Sequence, residues 1–382
     1  MGIFKHFLAG SFSNPFLRNK ISKSFTINLK HQVSVALMSS KILLTGATGY
    51  IGGSILTQLL ESKHDFSKYP ISVLVRGEDR AKILQGQGFN PILFHNLDET
   101  DILQKVASEH DVVIHTASGF HTASAKALIL GLGERKKASG KEVHFIHTSG
   151  TSNLGDQPIS GKYLESRTFS DRENIYAYLK SREALQVYPQ RTTDIIVVET
   201  GLAAGVKTTI LMSPTIYGFG TGLFNKLSIQ FPTLLRAAIK AGQSEMIGDG
   251  KGVWSYVHIA DLARLYELLL NKVLKGEELP NGEKGILFSS TGSYQWAELA
   301  SDIAGALAEL GAIKTREVKS ISLSEAAGKW WGGYELIVEL SFASNSRTLS
   351  DVSHELGWRE EKTEQDFKNQ FLEEARLVVA AQ

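Results

Sequence analysis

From residue 41 onward, short apolar runs alternate with longer stretches in which apolar residues return every three or four positions. The short runs read as buried strands and the 3.6-period stretches as amphipathic helices. "KILLT" (41–45), "ISVLVR" (71–76), "PILFHNL" (91–97), "DVVIHTAS" (111–118) and "VHFIHTS" (143–149) read as five successive strands. "DIIVVET" (194–200) and "TTILMSP" (208–214) read as two more. Ile51, Ile55 and Leu59, with Leu56 and Leu60 beside them, mark the first helix. Strands this apolar must be covered on both faces, which predicts an α/β fold with a doubly wound parallel sheet.

After about residue 215 the rhythm changes. "SIQFPTLLRAAIKAG" and "DLARLYELLLNK" (261–272) read as helices. Ser293 is placed to cap a helix carrying Trp296, Leu299, Ile303 and Leu307 that Gly311 ends. Ser322 and Glu325 have capping-box spacing. The expected organisation is an N-terminal extension (1–40), a sheet domain (41–215) and a smaller, mostly helical C-terminal lobe (216–382). Within that lobe, 245–275 is expected to pack back on the sheet domain.

Composition narrows the function. A net charge of +1, with 21% charged and 42% hydrophobic residues, is ordinary for a globular protein and gives no basic field for nucleic acid. Cysteine is absent, which excludes disulfides and thiol chemistry. No apolar run approaches the roughly 18 residues that span a bilayer. The first forty residues hold Lys5, Arg18, Lys20, Lys23 and Lys30 and no acidic residue. The segment reads as a transit peptide (residues 1–37), which implies a mitochondrial location, or as a disordered tail, or the mature chain starts near Met38, which implies the cytoplasm.

"TGATGYIGG" places Gly46, Gly49 and Gly52 between the first strand and first helix. Gly46 permits the tight turn, Gly49 lets the backbone approach a pyrophosphate, and Gly52 permits close helix–strand packing. The helix N-terminus supplies N–H donors for an anion. The G-x-x-G-x-x-G spacing, followed by "DVVIHTAS", "SPTIYGFG" (213–220), "YVHIADLA" (256–263) and "ELGW" (355–358), resembles the extended short-chain dehydrogenase/reductase superfamily over residues 41 to 360. Within it the chain is most similar to the fungal NAD(P)-binding group labelled nucleoside-diphosphate-sugar epimerase-like. The resemblance implies a Rossmann sheet with a C-terminal substrate lobe. It extends the cofactor-binding set to Thr48, Tyr50, Ile51, Asn96, Leu97, Thr116, Ala117 and Pro214. The second strand ends Val75–Arg76–Gly77, and an Arg there pairs with the 2′-phosphate of NADP(H). Glu78 and Asp79 just beyond leave NAD(H) open.

Tyr176 and Lys180 stand four apart on a predicted helix and share a face. An ammonium beside a phenol favours phenolate, so such a pair can move a proton at a carbonyl oxygen. The resemblance also implies that Lys180 binds the nicotinamide ribose. In related sequences a hydroxyl run closes the fifth strand and its last Ser polarises the substrate oxygen. In "HTSGTSNLGD" Gly150 falls at that Ser position, flanked by Ser149 and Thr151, which become the oxyanion-donor candidates. His110, His115, His121, His144 and His147 lack metal-ligand spacing, so no metal is expected. Trp254 stands where sugar-nucleotide enzymes of the superfamily carry an Arg for substrate phosphate, which points to an uncharged carbonyl substrate. Trp330–Gly333 reads as either a flap over substrate or a packed turn.

The expected activity is NADP(H)-dependent reduction of an aldehyde or ketone, and a homodimer is compatible with the sequence. Two alternatives stand beside it. One is a sugar-like epimerase or dehydratase holding NAD tightly. The other is a non-catalytic NAD(P) sensor.

Overall fold

The computed structural model describes residues 40–381. The extension's transit-peptide and late-start readings lie outside the described residues. From Lys41 the chain forms one compact unit. Its first half runs β1 (Ile42–Thr45), α1 (Tyr50–Glu61), β2 (Ile71–Val75), α2 (Glu78–Gly86), β3 (Asn90–Leu93), α3 (Thr100–Ala107), β4 (Val112–His115), α4 (Thr122–Ser139) and β5 (His144–Gly150). A 3-10 turn (Thr151–Leu154), β6 (Thr168–Ser170), α5 (Ile175–Leu185), α6 (Pro189–Ala204), β7 (Lys207–Ser213) and β8 (Thr215–Tyr217) follow.

Seven parallel strands form the main sheet in the order β11-β7-β5-β4-β1-β2-β3, with β11 at Ile286–Phe288. The order reverses beside β1, so the strand C-termini around β1 and β4 open a crevice where α/β sheets bind ligands. One face carries Ile42, Leu44, Val73, Ile114 and Ile146 against α1 and α8 (Ile259–Leu274). The other carries Leu43, Leu74, Val113 and Phe145 against α4 and α6. This alternation is the period-2 geometry of a strand buried on both sides.

"DIIVVET" is not a strand. It lies inside α6, the helix that covers β5 and β7 and packs along α4. The β-branched residues Ile195, Val197 and Val198 are buried against the sheet, and burial overrides their strand preference. A short apolar run cannot be told from a buried helix by periodicity alone.

The rest of the chain adds α7 (Gln230–Ala241), β9 (Ser244–Ile247), β10 (Val253–His258), β12 (Gly292–Gln295), α9 (Trp296–Glu309), β13 (Val318–Ile321), α10 (Leu323–Trp330), α11 (Glu335–Phe342), β14 (Arg347–Leu349), α12 (Asp351–Glu355) and α13 (Glu364–Ala380). Its core gathers Phe231, Trp254, Trp296, Phe342, Phe367 and Phe371. Strands β8, β10 and β12 form a small sheet. Helix α8 packs on α1. Ser293 lies in β12 and does not cap α9; Gln295 does, reciprocally with Glu298. Ser322 caps α10 through the Glu325 N–H.

Candidate functional site

The glycine loop has the tightness the sequence requires. Gly46 adopts φ +77, and the Gly49 N–H donates to the Gly46 carbonyl at 2.8 Å. A Cβ on Gly52 would stand 2.3 Å from the Gly46 oxygen and 2.6 Å from Thr116 Oγ1. Thr116 itself donates to the Thr45 carbonyl at 2.7 Å, pinning β4 to the loop. Helix α1 has no side-chain cap, so its first N–H groups are left for an anion. Thr48 is half-buried in this loop. These features fit a dinucleotide pyrophosphate.

Arg76 is exposed just past β2. Arg80 on α2 lies over the Phe224 ring at 5.9 Å. Asn96 is exposed after β3, where its Oδ1 accepts from the Asp98 N–H. Leu97 packs against the core edge, and Ala117 is half-buried beyond β4.

A cavity of about 370 Å³ opens between the sheet's C-terminal edge and the C-terminal lobe. Tyr50 and Ile51 of α1, Pro214 and Ile216 after β7, Trp254, Trp331 and Phe342 supply its apolar walls. Ser149, Thr151, Ser152, Ser213, Ser228, Ser341, Gln190 and Gln230 supply its polar ones. No lining residue is charged. Trp254 is held by its indole N–H, which donates to Ser344 Oγ at 2.9 Å. Trp331 lines this wall, whereas the Trp330 ring packs on Phe342.

Both residues flanking Gly150 line this cavity. Ser149 shares the β5 face of Phe145 and His147, and its Oγ donates to Asp194 of α6 at 2.7 Å. Thr151 begins the 3-10 turn, and its buried Oγ1 has no protein partner. The empty side of Gly150 is occupied by Gln190. A Cβ there would lie 3.0 Å from Gln190 Nε2, and one on Gly119 would lie 3.1 Å from the same atom. Ser152 Oγ donates to Gln190 Oε1 at 2.7 Å and lies 3.1 Å from the Tyr188 phenol.

Tyr176 and Lys180 are not brought to this site. They lie on α5, where Tyr176 donates to Glu199 Oε1 at 3.1 Å and Lys180 pairs with the same oxygen at 2.6 Å. Glu199 is in the second half of α6, and Glu283, just before β11 begins, adds to the field on Tyr176. That is the N-terminal edge of the sheet, opposite the glycine loop. Partial burial, then the Glu199 hydrogen bond, raises the Tyr176 phenol above its ordinary pKa, the reverse of an activated acid. The neighbouring Glu199 engages the Lys180 ammonium at this edge, away from the cavity.

The helix facing β5 is α6, and its inward pair is Gln190 and Asp194, again four apart. Sequence reasoning missed both, together with Ser152 and Tyr188. Behind them a buried polar row crosses the sheet: Thr45, His115 and His147 are register partners on β1, β4 and β5. Thr45 Oγ1 lies 2.7 Å from His115 Nδ1, and the two imidazoles stack at 5.3 Å. Burial brings His115 down to about 4 and holds His147 well below its ordinary value, so both are neutral at pH 7. Among the described residues no group of three or more His, Cys, Asp or Glu is arranged to hold a metal. Nor is any described helix long and apolar enough to cross a membrane.

The sequence model of the NAD dependent epimerase/dehydratase family matches residues 42–281. An "oxidase ucsJ" from Acremonium sp is 28% identical over 304 residues, covering 76% of this chain and 85% of that protein. Among solved structures, UDP-glucose 4-epimerase from Thermotoga maritima superposes with a TM-score of 0.55 at 16% identity, covering 89% of this chain and 99% of that one. A dTDP-glucose 4,6-dehydratase from Streptomyces venezuelae, solved with NAD, gives 0.57 at 16% identity, covering 88% and 96%.

Proposed function

Because the chain belongs to the NAD dependent epimerase/dehydratase family, we propose that it binds NADP(H) and interconverts a carbonyl and an alcohol on an uncharged, largely apolar small molecule. The observation that carries this reading is the cavity lining, which is aromatic, aliphatic and hydroxyl-bearing without a charged residue. A nucleotide-sugar substrate would bring a diphosphate into a wall that offers it no cation, and burying unpaired charge is costly. Gly46, Gly49 and Gly52 would hold the cofactor pyrophosphate. Arg76, with Arg80 nearby, would pair with the 2′-phosphate. The nicotinamide, when bound, supplies or accepts the hydride. Ser149, Thr151 and Ser152 line the cavity, and the buried Thr151 Oγ1, which has no protein partner, would donate to a substrate oxygen seated against it.

The decisive experiment is calorimetric titration with NADPH and NADH, then a panel of aromatic, aliphatic and nucleotide-linked carbonyls followed by NADPH loss. Tighter binding of NADPH and turnover of uncharged carbonyls are expected. Turnover restricted to nucleotide sugars would overturn the reading. One second reading has a specific observation behind it: α6 presents Gln190 and Asp194 to β5 in place of a Tyr/Lys pair, which favours a cofactor-binding protein without turnover. It predicts tight cofactor binding and no reaction on any member of the panel.

A further inference from the structure

Resting on the oxidoreductase reading, we propose that Ser149 and Asp194 form the proton relay of this site, with Ser149 exchanging the proton of the substrate oxygen and Asp194 storing it. Ser149 is on the cavity wall, and Asp194 lies directly behind it, fully buried. The Ser149 hydroxyl and the Asn153 amide both donate to Asp194 Oδ2, at 2.7 and 2.6 Å. Asn153 also reaches Ser149 Oγ at 3.3 Å, which fixes the triangle. Asp194 Oδ1 has no hydrogen-bond partner and faces His147 Nε2 at 3.6 Å. Two donors on one oxygen and none on the other suit a carboxylic acid whose own proton is on the bare oxygen.

Burial supports that state. It pushes the Asp194 carboxyl up to about 8, although the Ser149 and Asn153 hydrogen bonds and the Arg191 charge pull the other way. His147 is held neutral by burial, so the 3.6 Å contact is not an ion pair at neutral pH. The titratable groups facing Asp194 are His147 from β5, with His115 of β4 stacked behind it, and Arg191 and Tyr188 from the start of α6. Glu183 of α5 is paired to Arg191, and His121 before α4 acts on His115. The buried α6 residues around it mix polar Gln190, Arg191 and Thr193 with apolar Ile195, Val197 and Val198, and a fully buried carboxyl is an expensive choice for packing alone.

In the oxidation direction, which starts from the ionised Asp194 carboxylate, the alcohol O–H proton passes to Ser149 Oγ while the Ser149 proton passes to Asp194 Oδ2. The freed oxygen pair forms the C=O π bond, and the carbinol carbon gives up its C–H pair as hydride to oxidised nicotinamide. In reduction the carbonyl carbon accepts hydride from reduced nicotinamide and the π pair moves to oxygen. That oxygen takes the Ser149 proton, Ser149 takes the Asp194 proton once rotation of the carboxyl has brought that proton to the oxygen facing Ser149, and solvent reprotonates the carboxylate after product leaves. The two directions start from opposite relay states: Asp194 ionised and accepting from Ser149 for oxidation, Asp194 protonated and the Ser149 hydroxyl turned to the substrate for reduction.

The test combines infrared pH titration of the full-length, cofactor-free protein with kinetics of the holoenzyme. Wild-type protein should show protonated-carboxyl C=O absorption at neutral pH that titrates near 8; Asp194→Asn should remove one component of it, which shifts in Ser149→Ala, while the component that Glu374→Gln removes stays. Ser149→Ala and Asp194→Asn should each lower kcat on the order of 100-fold with KM near the wild-type value. Asp194→Asn should also erase the kcat–pH limb near 8, and Ser149→Thr should restore part of kcat. An Asp194 carboxyl ionised throughout the neutral range overturns the relay even if the variants fold poorly. So does a wild-type pH limb that survives in Asp194→Asn. A wild-type protein that turns over no carbonyl, with its Asp194 band present, instead overturns the oxidoreductase reading and the relay's catalytic role with it.

Discussion

Gln190 explains why residue 150 is Gly. Its amide sits in a notch between Gly119 and Gly150, 3.1 and 3.0 Å from a Cβ added at the two positions, tighter than ordinary van der Waals contact. A Ser at 150 would push against Gln190 Nε2 at 3.0 Å and Oε1 at 3.2 Å, and would disturb the Ser152–Gln190 hydrogen bond. Placing a hydroxyl at position 150 is therefore expected to harm this site. Gly150→Ser should destabilise the protein by about 1–3 kcal/mol, as overpacking does, and should lower turnover. Gly150→Ser combined with Gln190→Ala should recover most of the melting temperature, because the truncated side chain vacates the notch. Thermal melts and kcat/KM of the two variants check this. A rise in turnover for the single variant would mean that Gln190 is a flexible cover and no part of the wall.

At the scale of elements, the position of one helix decides which residues face the cofactor edge. Helix α6 is bracketed by Pro189 at its first turn and Gly205 at φ +70 beyond its end, the asymmetry typical of helix start and stop. That signal was present in the sequence, but the β-branched run Ile195–Val198 outweighed it. Reading the run as a strand makes α5 the crossover helix and promotes Tyr176 and Lys180. With α6 covering β5, that pair is a surface cluster on Glu199. Tyr176→Phe and Lys180→Met should consequently leave kcat/KM within about twofold of wild type, in the range of an ordinary surface change. A loss on the order of 100-fold would show instead that α5 moves to the cavity. The parallel sheet, the glycine loop and the hydroxyls at the end of β5 were legible because each rests on local chemistry: apolar period, turn sterics and strand alternation. Gln190 and Asp194 were not, because their roles come from the packing of α6 on β5, a contact between residues about 40 positions apart.

At the scale of the whole molecule, buried ionisable groups of both kinds set the pH dependence of stability. Burial lowers His115, His144 and His258 to about 4 and holds His147 well below its ordinary value. Burial raises Asp194 and Glu374 to about 8. Unfolded histidines titrate near 6.5 and unfolded carboxyls near 4. Below about 6.5 the unfolded chain binds protons that the folded histidines refuse, so these four groups lose stability as pH falls. The two carboxyls act oppositely: folded they keep a proton that the unfolded chain has released, so their contribution fades as pH rises toward 8. Between about 4.5 and 6.5 these histidines, joined by His110, outweigh the raised carboxyls, joined by Asp171 and Asp261, and stability climbs; between 6.5 and 8 the change comes from Asp194 and Glu374 and it declines. The melting temperature should therefore peak near pH 6.5, with an alkaline decline on the order of 1 kcal/mol per pH unit from each carboxyl. Glu374 lies on α13, and its charge acts on Tyr50, so the C-terminal helix is electrically tied to the glycine-loop helix. Scanning calorimetry of wild type, Glu374→Gln and Asp194→Asn across this range separates the two sources. Each substitution should remove part of the alkaline decline, and a melting temperature that kept rising to pH 8 would mean both carboxyls are ionised in the fold. Because only Asp194 touches the cavity wall, Glu374→Gln should flatten the stability profile while leaving the kinetic limb near 8 in place.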